Sequence, residues 1–364
     1  MIPAAESGCL VIADLTGYTQ YLRNTELEHA QDVLADLMET VVGRLRSVLH
    51  ISKLEGDAAF AYGLDIEPSV LLDTVEQTYF AFRARLRDIG QATTCDCNAC
   101  RLIPNLDLKF VAHAGRFVRN IVAGSEELVG TDVIVTHRLL KNRVNDLLGL
   151  RSYGLFTESC ITTLGLDPAI LGMREHREVY EDIGEVLSYV EDLQAAWTRQ
   201  QERHRVFVQP EDAQFEFVTQ LPASKAVVWE FSTSPRKRLL WQTDFTQIDQ
   251  INPGGRRGPG TTNHCVHGRG SVIEEILDWH PFEYYTHRMI LPMIGSWIQT
   301  FELRELGEYQ TELRIRIRRL EGKQRLIWPL MRGRLSEGMA QNTDRLRQIL
   351  GEDTAQSVRQ QANS

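Results

Sequence analysis

A short apolar run that stops at an aspartate is the feature that most constrains the fold of this chain. Ser7–Ala13 is almost entirely apolar, ends at Asp14 and predicts a buried strand. Apolar residues then recur at helical spacing over Thr19–His50, which predicts a long amphipathic helix. Two short segments follow, Ile51–Leu54 and Ala58–Tyr62, and they predict a hairpin. Strand, helix and hairpin in this order indicate an α+β domain.

The pattern continues as far as residue 148. Pro68–Ile89 predicts a second helix and Thr131–Leu148 a third. Between them, Leu106–Ala114 and Phe117–Val122 predict two strands that turn near Gly115. The order β-α-β-β-α-β-β-α extends the ferredoxin-like pattern, in which helices cover one face of an antiparallel sheet.

Length and charge indicate two domains. A chain of 364 residues predicts about two, and we place the boundary near residue 205, which gives domains 1–205 and 206–364. Of the 40 basic and 49 acidic residues, 20 and 19 lie in 206–364, so the first domain is strongly acidic. This balance argues against nucleic-acid binding, which depends on neutralising phosphates. We find no signal peptide and no membrane-spanning run, and therefore expect a soluble, cytoplasmic protein.

The second half predicts an antiparallel sheet closed by a helix. It begins with a strand, Gln214–Thr219, and continues through two short helices and six more strands. In the last strand, Gln310–Arg319, leucine and isoleucine alternate with arginine, which is typical of a half-buried strand. Ile327–Leu350 predicts the closing helix.

Two aspartates form the first candidate site. Asp14 ends a buried strand and Asp57 lies in the adjacent hairpin turn, so neighbouring strands would bring the carboxylates together. Gly17, Tyr18 and Thr19 follow at a helix N-terminus, whose amides attract phosphate. Two carboxylates and substrate phosphates are the usual ligands of Mg²⁺. The alternative is structural: Asp14 would cap a helix and Asp57 would be an ordinary turn residue.

Four segments in this order resemble the motifs of the class III nucleotidyl cyclases. They are ADLTGYT at 13–19, KLEGD at 53–57, LKFVAHAG at 108–115 and VGTDVIVTHR at 129–138. The resemblance implies that Asp14 and Asp57 bind Mg²⁺ or Mn²⁺, that Lys53 selects the purine, with ATP favoured, and that Arg138 neutralises the reacting phosphate.

The chain departs from that family at two positions. Ile134 stands where the family has an asparagine that stabilises the reacting phosphate, and Glu127 stands where an aspartate contacts the purine. Loss of one such polar contact commonly costs ~10²–10³ in rate. Two hypotheses follow: an adenylyl cyclase that makes cyclic AMP and pyrophosphate, or an inactive cyclase-like module that binds a nucleotide or dimerises. In the family, opposite chains complete each site, which implies a homodimer.

Three cysteines lie close together at Cys95, Cys97 and Cys100. They are candidate Zn²⁺ ligands, although a structural site needs four donors and the spacing singles out neither His113 nor Cys9 as the missing one. A tight loop with free thiols and redox chemistry remain open alternatives.

The second half resembles the helix-grip fold of the START/Bet v 1-like superfamily. The segments that carry this likeness are LPASKAVVWEF at 221–231, GTTNHCVHG at 260–268 and EEILDWHPFEYYT at 274–286. The resemblance implies a cavity for a small hydrophobic ligand, with Trp229, Trp241, Trp279 and Trp297 as candidate lining residues. Alternatively, these tryptophans simply form the core.

Overall fold

Two compact units make up the chain. The computed structural model describes residues 4–92, 97–122, 125–202, 205–267, 270–291, 295–320 and 323–362. The units are Met1–Arg203 and His204–Ser364, and the division falls close to the boundary expected at residue 205. Each contains one sheet with its own helices, so both are α+β.

The first unit is built on an eight-stranded sheet. Its strands are β1 (Glu6–Thr16), β2 (His50–Glu55), β3 (Ala58–Gly63), β4 (Asp107–Val122), β5 (Ser125–Val129), β6 (Tyr153–Thr157), β7 (Arg174–Tyr180) and β8 (Gly184–Asp192). Its helices are α1 (Tyr18–Arg23), α2 (Leu27–Arg46), α3 (Pro68–Ala92), α4 (Asn98–Leu102), α5 (Thr131–Arg138), α6 (Val144–Leu148), α7 (Glu158–Leu164) and α8 (Leu193–Glu202). The order is β2-β3-β1-β4-β6-β8-β7, with β5 paired to β4.

Strand β1 separates two hydrophobic clusters because successive side chains point to opposite faces of a sheet. Val11 and Ala13 pack in the cluster that contains residues of α2 and α3. Leu10 and Ile12 pack in the cluster that contains Val133 of α5. Asp14 continues the second series and therefore lies on the α5 face of the sheet.

The prediction of one continuous helix over Thr19–His50 is wrong. The helix is broken between α1 and α2, and its last residue belongs to β2. At the break, Asn24 Nδ2 donates to the Gln20 carbonyl and Thr25 Oγ1 donates to the Tyr21 carbonyl. Such side-chain bonds to the backbone compete with helix continuation, and helical periodicity alone does not reveal them.

The turn predicted near Gly115 is also wrong, because β4 runs straight through that residue. Gly115 pairs with Gly8 of β1, and a Cβ at position 115 would collide with the Asp132 side chain. The glycine thus allows a close approach of α5 to the sheet and does not serve a turn.

The helix predicted over Thr131–Leu148 is two helices, α5 and α6. Between them, Asn142 Oδ1 accepts hydrogen bonds from the Val144 amide at 3.0 Å and from the Tyr153 hydroxyl at 2.8 Å. These contacts start α6 afresh, and the second of them depends on a tertiary neighbour.

The second unit has the predicted order of elements. They are β9 (Ala213–Leu221), α9 (Lys225–Thr233), α10 (Pro235–Trp241), β10 (Gln247–Ile251), β11 (Thr262–His267), β12 (Gly270–His280), β13 (Tyr284–Leu291), β14 (Gly295–Gly307), β15 (Gln310–Arg318) and α11 (Lys323–Ala362). The antiparallel sheet has the order β10-β11-β12-β13-β14-β15-β9. Helix α11 is longer than the predicted Ile327–Leu350 and packs on the sheet through Trp328, which contacts Phe215 edge-on at 5.8 Å. The helix-grip assignment itself stays a prediction.

None of the helices in the described part of the chain combines the length and the apolar character that crossing a bilayer requires.

Two glycine substitutions test the close approach at β4. Gly115→Ala should destabilise the first unit by about 1–3 kcal/mol, because its new methyl group has to displace the Asp132 side chain. Gly43→Ala is the matched control: it lies on α2 with open space around it and should stabilise by about 0.5–1 kcal/mol. Urea denaturation curves measure both, and equal effects would contradict the packing described here.

Candidate functional site

The structure brings Asp14 and Asp57 together at the ends of two neighbouring strands. Asp14 pairs with Ala58 in the register of β1 and β3, so Asp57 is the residue just before its partner. The Leu15 amide donates to the Asp57 carbonyl at 3.1 Å, which fixes the hairpin turn against β1. The convergence predicted from the sequence is therefore present in the fold.

The pair carries more negative charge than its surroundings neutralise. Burial and the neighbouring charge of Asp14 raise the pKa of Asp57 above its ordinary value. The only cation in contact with Asp14 among the described ion pairs is Lys109, whose Nζ lies 3.1 Å from Oδ2 and also 3.1 Å from the Leu140 carbonyl. One ammonium for two close carboxylates leaves a net negative site, which fits a hard divalent cation.

A second charged cluster contains the residues expected to contact the purine. Lys53 Nζ lies 3.1 Å from Glu127 and 2.9 Å from Glu55, and these partners raise the pKa of the lysine. His137 Nδ1 lies 3.4 Å from the other oxygen of Glu55. The fold thus brings Lys53 and Glu127, which are 74 residues apart in the chain, into contact as one donor and one acceptor.

Helix α5 carries the remaining expected catalytic position, but its arginine is engaged elsewhere in the same chain. Arg138 pairs with Asp182 at 3.6 Å, with both side chains more than half exposed. Ile134 is 57% exposed on the same helix. The structure of one chain therefore does not unite Arg138 with the aspartate pair.

The turn after Asp14 has a structural requirement of its own. Gly17 has φ +90°, and a Cβ there would lie 2.8 Å from the Asn105 carbonyl oxygen. Tyr18 is half-buried against the core, and Thr19 is exposed. Helix α1 has only six residues, so phosphate binding by these three residues stays a prediction.

Three residues of the site were missed by sequence reasoning: Lys109, Glu55 and His137. Lys109 had a signal, because it interrupts the apolar run of a strand between Leu108 and Phe110. Its partner became evident only from the pairing of β1 with β4, which places it opposite Asp14.

The cysteine cluster has a histidine partner that the sequence did not indicate. His29 Nδ1 lies 3.1 Å from Cys97 Sγ and 3.9 Å from Cys100 Sγ. Cys95, the third predicted ligand, lies outside the described residues.

The two distant candidates for this cluster are engaged elsewhere. Cys9 is hydrogen-bonded to Cys160, which lowers the pKa of the Cys9 thiol. His113 contacts Thr157 at 2.9 Å and Asp132 at 3.2 Å. Neither belongs to the group of donor atoms formed by His29, Cys97 and Cys100.

In the second unit, the four candidate tryptophans are buried. Trp229 is fully buried and contacts Trp279 edge-on at 4.7 Å, while Trp241 Nε1 donates to the Phe231 carbonyl at 2.9 Å. Trp297 packs in the cluster that holds α11 on the sheet. These contacts are those of core residues.

The cavity beside them is small and most of its lining residues are polar or charged, whereas an apolar one was expected. It has a volume of about 10 Å³, the space of one water, and of the tryptophans only Trp279 lines it. Arg238 lines it too and forms a bidentate ion pair with the buried Glu274 at 2.7 and 2.8 Å. Although burial alone would raise it, Arg238 holds the pKa of Glu274 down to about 2.

Comparisons with known sequences cover less than half of the chain. Residues 34–147 match the profile of a family described as proteins of unknown function, DUF2652. The uncharacterized protein Rv2561/Rv2562 of Mycobacterium tuberculosis is 41% identical over 112 residues, which are 30% of this chain and 52% of that protein. The chain thus spans about half the length of the curated relative it matches.

Solved cyclase structures resemble about half of the chain. The guanylyl cyclase Cya2 has a TM-score of 0.40 at 12% identity, covering 52% of this chain and 93% of that one. The adenylyl cyclase CyaB from P. aeruginosa has a TM-score of 0.40 at 11% identity, covering 53% and 97%. These scores concern shape alone and carry no information about the chemistry of this chain.

Replacement of Asp57 separates stability from cation binding. The raised pKa means that ionised Asp57 opposes folding at neutral pH, so Asp57→Asn should raise the melting temperature of the metal-free protein at pH 7. This gain should vanish below about pH 4, where the carboxyl is protonated in either state. Mn²⁺ at about 100 times its Kd should stabilise the wild type by about 2.7 kcal/mol, and the variant much less. Asp32→Asn, on the exposed face of α2, is the control and should do neither.

Replacement of one buried carboxylate in the second unit tests the buried ion pair between Arg238 and Glu274. Glu274→Gln should cost about 3–5 kcal/mol in the free energy of unfolding, because Arg238 is left as a buried charge without a counter-charge. The adjacent Glu275→Gln breaks a half-exposed pair with Arg288 and should cost less than about 1 kcal/mol. Similar losses in the two urea titrations would refute this ranking.

Proposed function

We propose that the first unit is a metal-dependent nucleotidyl cyclase that converts ATP to cyclic AMP and pyrophosphate. The observation that supports this most is the convergence of Asp14 and Asp57 beside Lys109, at the end of a sheet whose strands hold them in register. Burial and the charge of Asp14 raise the pKa of Asp57, so the ionised pair opposes folding unless a cation binds there.

In this proposal, the aspartate pair binds Mg²⁺ or Mn²⁺ together with the triphosphate. The ions, when bound, would supply positive charge that lowers the pKa of the attacking ribose hydroxyl and stabilises the leaving pyrophosphate. Asp14 and Asp57 supply the carboxylate ligands, and Lys109 remains beside Asp14 as a fixed positive charge. The 3′ oxygen of the ribose loses its proton to solvent and bonds to the α-phosphorus, while the bond from that phosphorus to pyrophosphate breaks.

Purine recognition is assigned to Lys53 and Glu127. A lysine donates hydrogen bonds and a carboxylate accepts them, so the pair matches an adenine edge that offers both a ring acceptor and an amino donor. Their mutual contact at 3.1 Å, with both side chains about one-third exposed, keeps them aligned and open to an incoming base. Glu55 holds Lys53 from the other side at 2.9 Å.

The phosphate-neutralising arginine is proposed to act in a two-fold homodimer. Arg138 is tied to Asp182 in its own chain, but exposed ion pairs of this kind contribute little and exchange easily. A second copy would then present Arg138 to the aspartate pair of the first, with two equal sites.

A second candidate function is nucleotide binding without turnover. It is favoured by Ile134, whose exposed apolar side chain cannot stabilise the reacting phosphate. In that case Lys53, Glu127 and the aspartate pair hold ATP and the fold serves as a sensor or dimerisation module.

The second unit is proposed to regulate the first by binding a small molecule. A small hydrophobic ligand was expected, but the cavity at Arg238 and Arg257 has only the volume of one water molecule, so its lining does not identify a ligand. We propose no further reaction for this unit.

Product analysis tests the cyclase proposal. Purified protein is incubated with ATP, GTP, CTP or UTP and Mn²⁺, and products are identified by mass spectrometry. We expect cyclic AMP from the wild type and from Asp32→Asn, and a loss of at least about 100-fold in Asp57→Asn, because a missing ligand should cost more than a missing outer-shell contact. Lys53→Gln should reduce the preference for ATP over GTP.

The same experiment separates the two candidate functions. Absence of any cyclic product, together with a rise in melting temperature with ATP that Asp57→Asn abolishes, supports the binding module. If the protein shows no turnover and no ATP-dependent shift in melting temperature, both candidate functions are overturned.

A further inference from the structure

Three side chains that commonly bind metals meet away from the aspartate pair. His29 lies in the first turn of α2, Cys97 precedes α4, and Cys100 lies within α4. Their donor atoms all lie within 4.8 Å of one another. Sequence separation hides this site, because His29 and Cys97 are 68 positions apart in the chain.

The distances suit one tetrahedral ion. With Zn–S near 2.3 Å and Zn–N near 2.0 Å, the donors of a tetrahedral zinc site lie roughly 3.5–3.8 Å apart. The observed separations from His29 Nδ1 to the two sulfurs, 3.1 and 3.9 Å, bracket that range. Thiolates and an imidazole select zinc over Mg²⁺ or Ca²⁺, which prefer oxygen. Three donors leave the fourth position to water or another ligand.

The backbone around the cluster is already fixed by other contacts. The Tyr21 hydroxyl donates to the Ala99 carbonyl at 2.8 Å, and Glu26 accepts from the Ala99 amide at 3.1 Å. The carbonyl and the amide of Ala99 thereby hold helix α4 against α1 and against the start of α2. A dithiol redox pair would need only the two cysteines, and it leaves the position of His29 unexplained.

We propose that His29, Cys97 and Cys100 bind Zn²⁺ and that the ion fixes the segment leading from α4 into β4. That segment includes Asn105, whose carbonyl faces Gly17 and accepts from Arg151 at 2.7 Å. Gly17 lies three residues after Asp14, so the ion supports the turn beside the aspartate pair. The site is separate from that pair and does not depend on its proposed function.

Metal binding to the full chain tests the proposal. Protein stripped with a chelator is titrated with Zn²⁺ by competition with a chromophoric chelator, and with Co²⁺ by absorption spectroscopy. We expect one high-affinity ion per chain, a sulfur-to-cobalt charge-transfer band and the intense visible bands of tetrahedral Co²⁺. Cys97→Ser and Cys100→Ser should lose the charge-transfer intensity and weaken binding at least 100-fold, and His29→Gln at least 10-fold. Removal of the metal should lower the melting temperature of the wild type.

The variants are chosen so that folding does not confuse the result. Serine is favoured at a helix N-cap, the position of Cys97, so Cys97→Ser should fold even if substitution of the buried Cys100 fails. Three control variants should keep the ion: Asp57→Asn, Cys160→Ser and His264→Gln. Retention would show that the aspartate pair, the Cys160 thiol and the His264 imidazole are not ligands of the zinc. Zinc binding unchanged in Cys97→Ser, or no tight zinc with a Cys97–Cys100 disulfide found by mass spectrometry, would overturn the proposal.

Discussion

The register of β1 between β3 and β4 is the constraint on which the candidate site depends. It places Asp14 opposite Ala58 on one side and opposite Lys109 on the other. A shift of one residue would turn Asp14 to the opposite face and bury it among the residues that contact α2 and α3. The register is therefore secured by the two hydrophobic clusters on either face of β1, and the position of the charges follows from apolar packing.

The charges at this site oppose folding and lower the free energy of unfolding. Asp57 has a raised pKa because it is partly buried next to Asp14, and Lys109 compensates only in part. Groups held in an unfavourable state cluster at functional sites, where a ligand relieves the cost. A divalent cation would do so here, which links the electrostatics of the free protein to the proposed chemistry.

In the second unit, the buried charges compensate each other. Arg238 and Glu274 neutralise each other in a bidentate pair, and Asn263 donates to the same carboxylate at 3.0 Å. Such a pair fixes the geometry of the core more than it adds stability, because both ions lose their hydration. Of the tryptophans expected to line an apolar cavity, Trp229 and Trp279 instead pack edge-on against each other, and Trp297 packs in the cluster that holds α11 on the sheet.

The sequence by itself determined the α+β class, the division near residue 205 and the order of elements in the second half, because periodicity reports which face of an element is buried. It also singled out Asp14 at a strand end and Asp57 in a turn, whereas Lys53 and Glu127 came from the resemblance to the cyclase motifs. Only the tertiary structure decided that Gly115 is a point of close approach, that Lys109 neutralises Asp14 and that His29 joins the cysteines. These are contacts between residues distant in the chain, and local spacing carries no information about which distant side chain fills a given space.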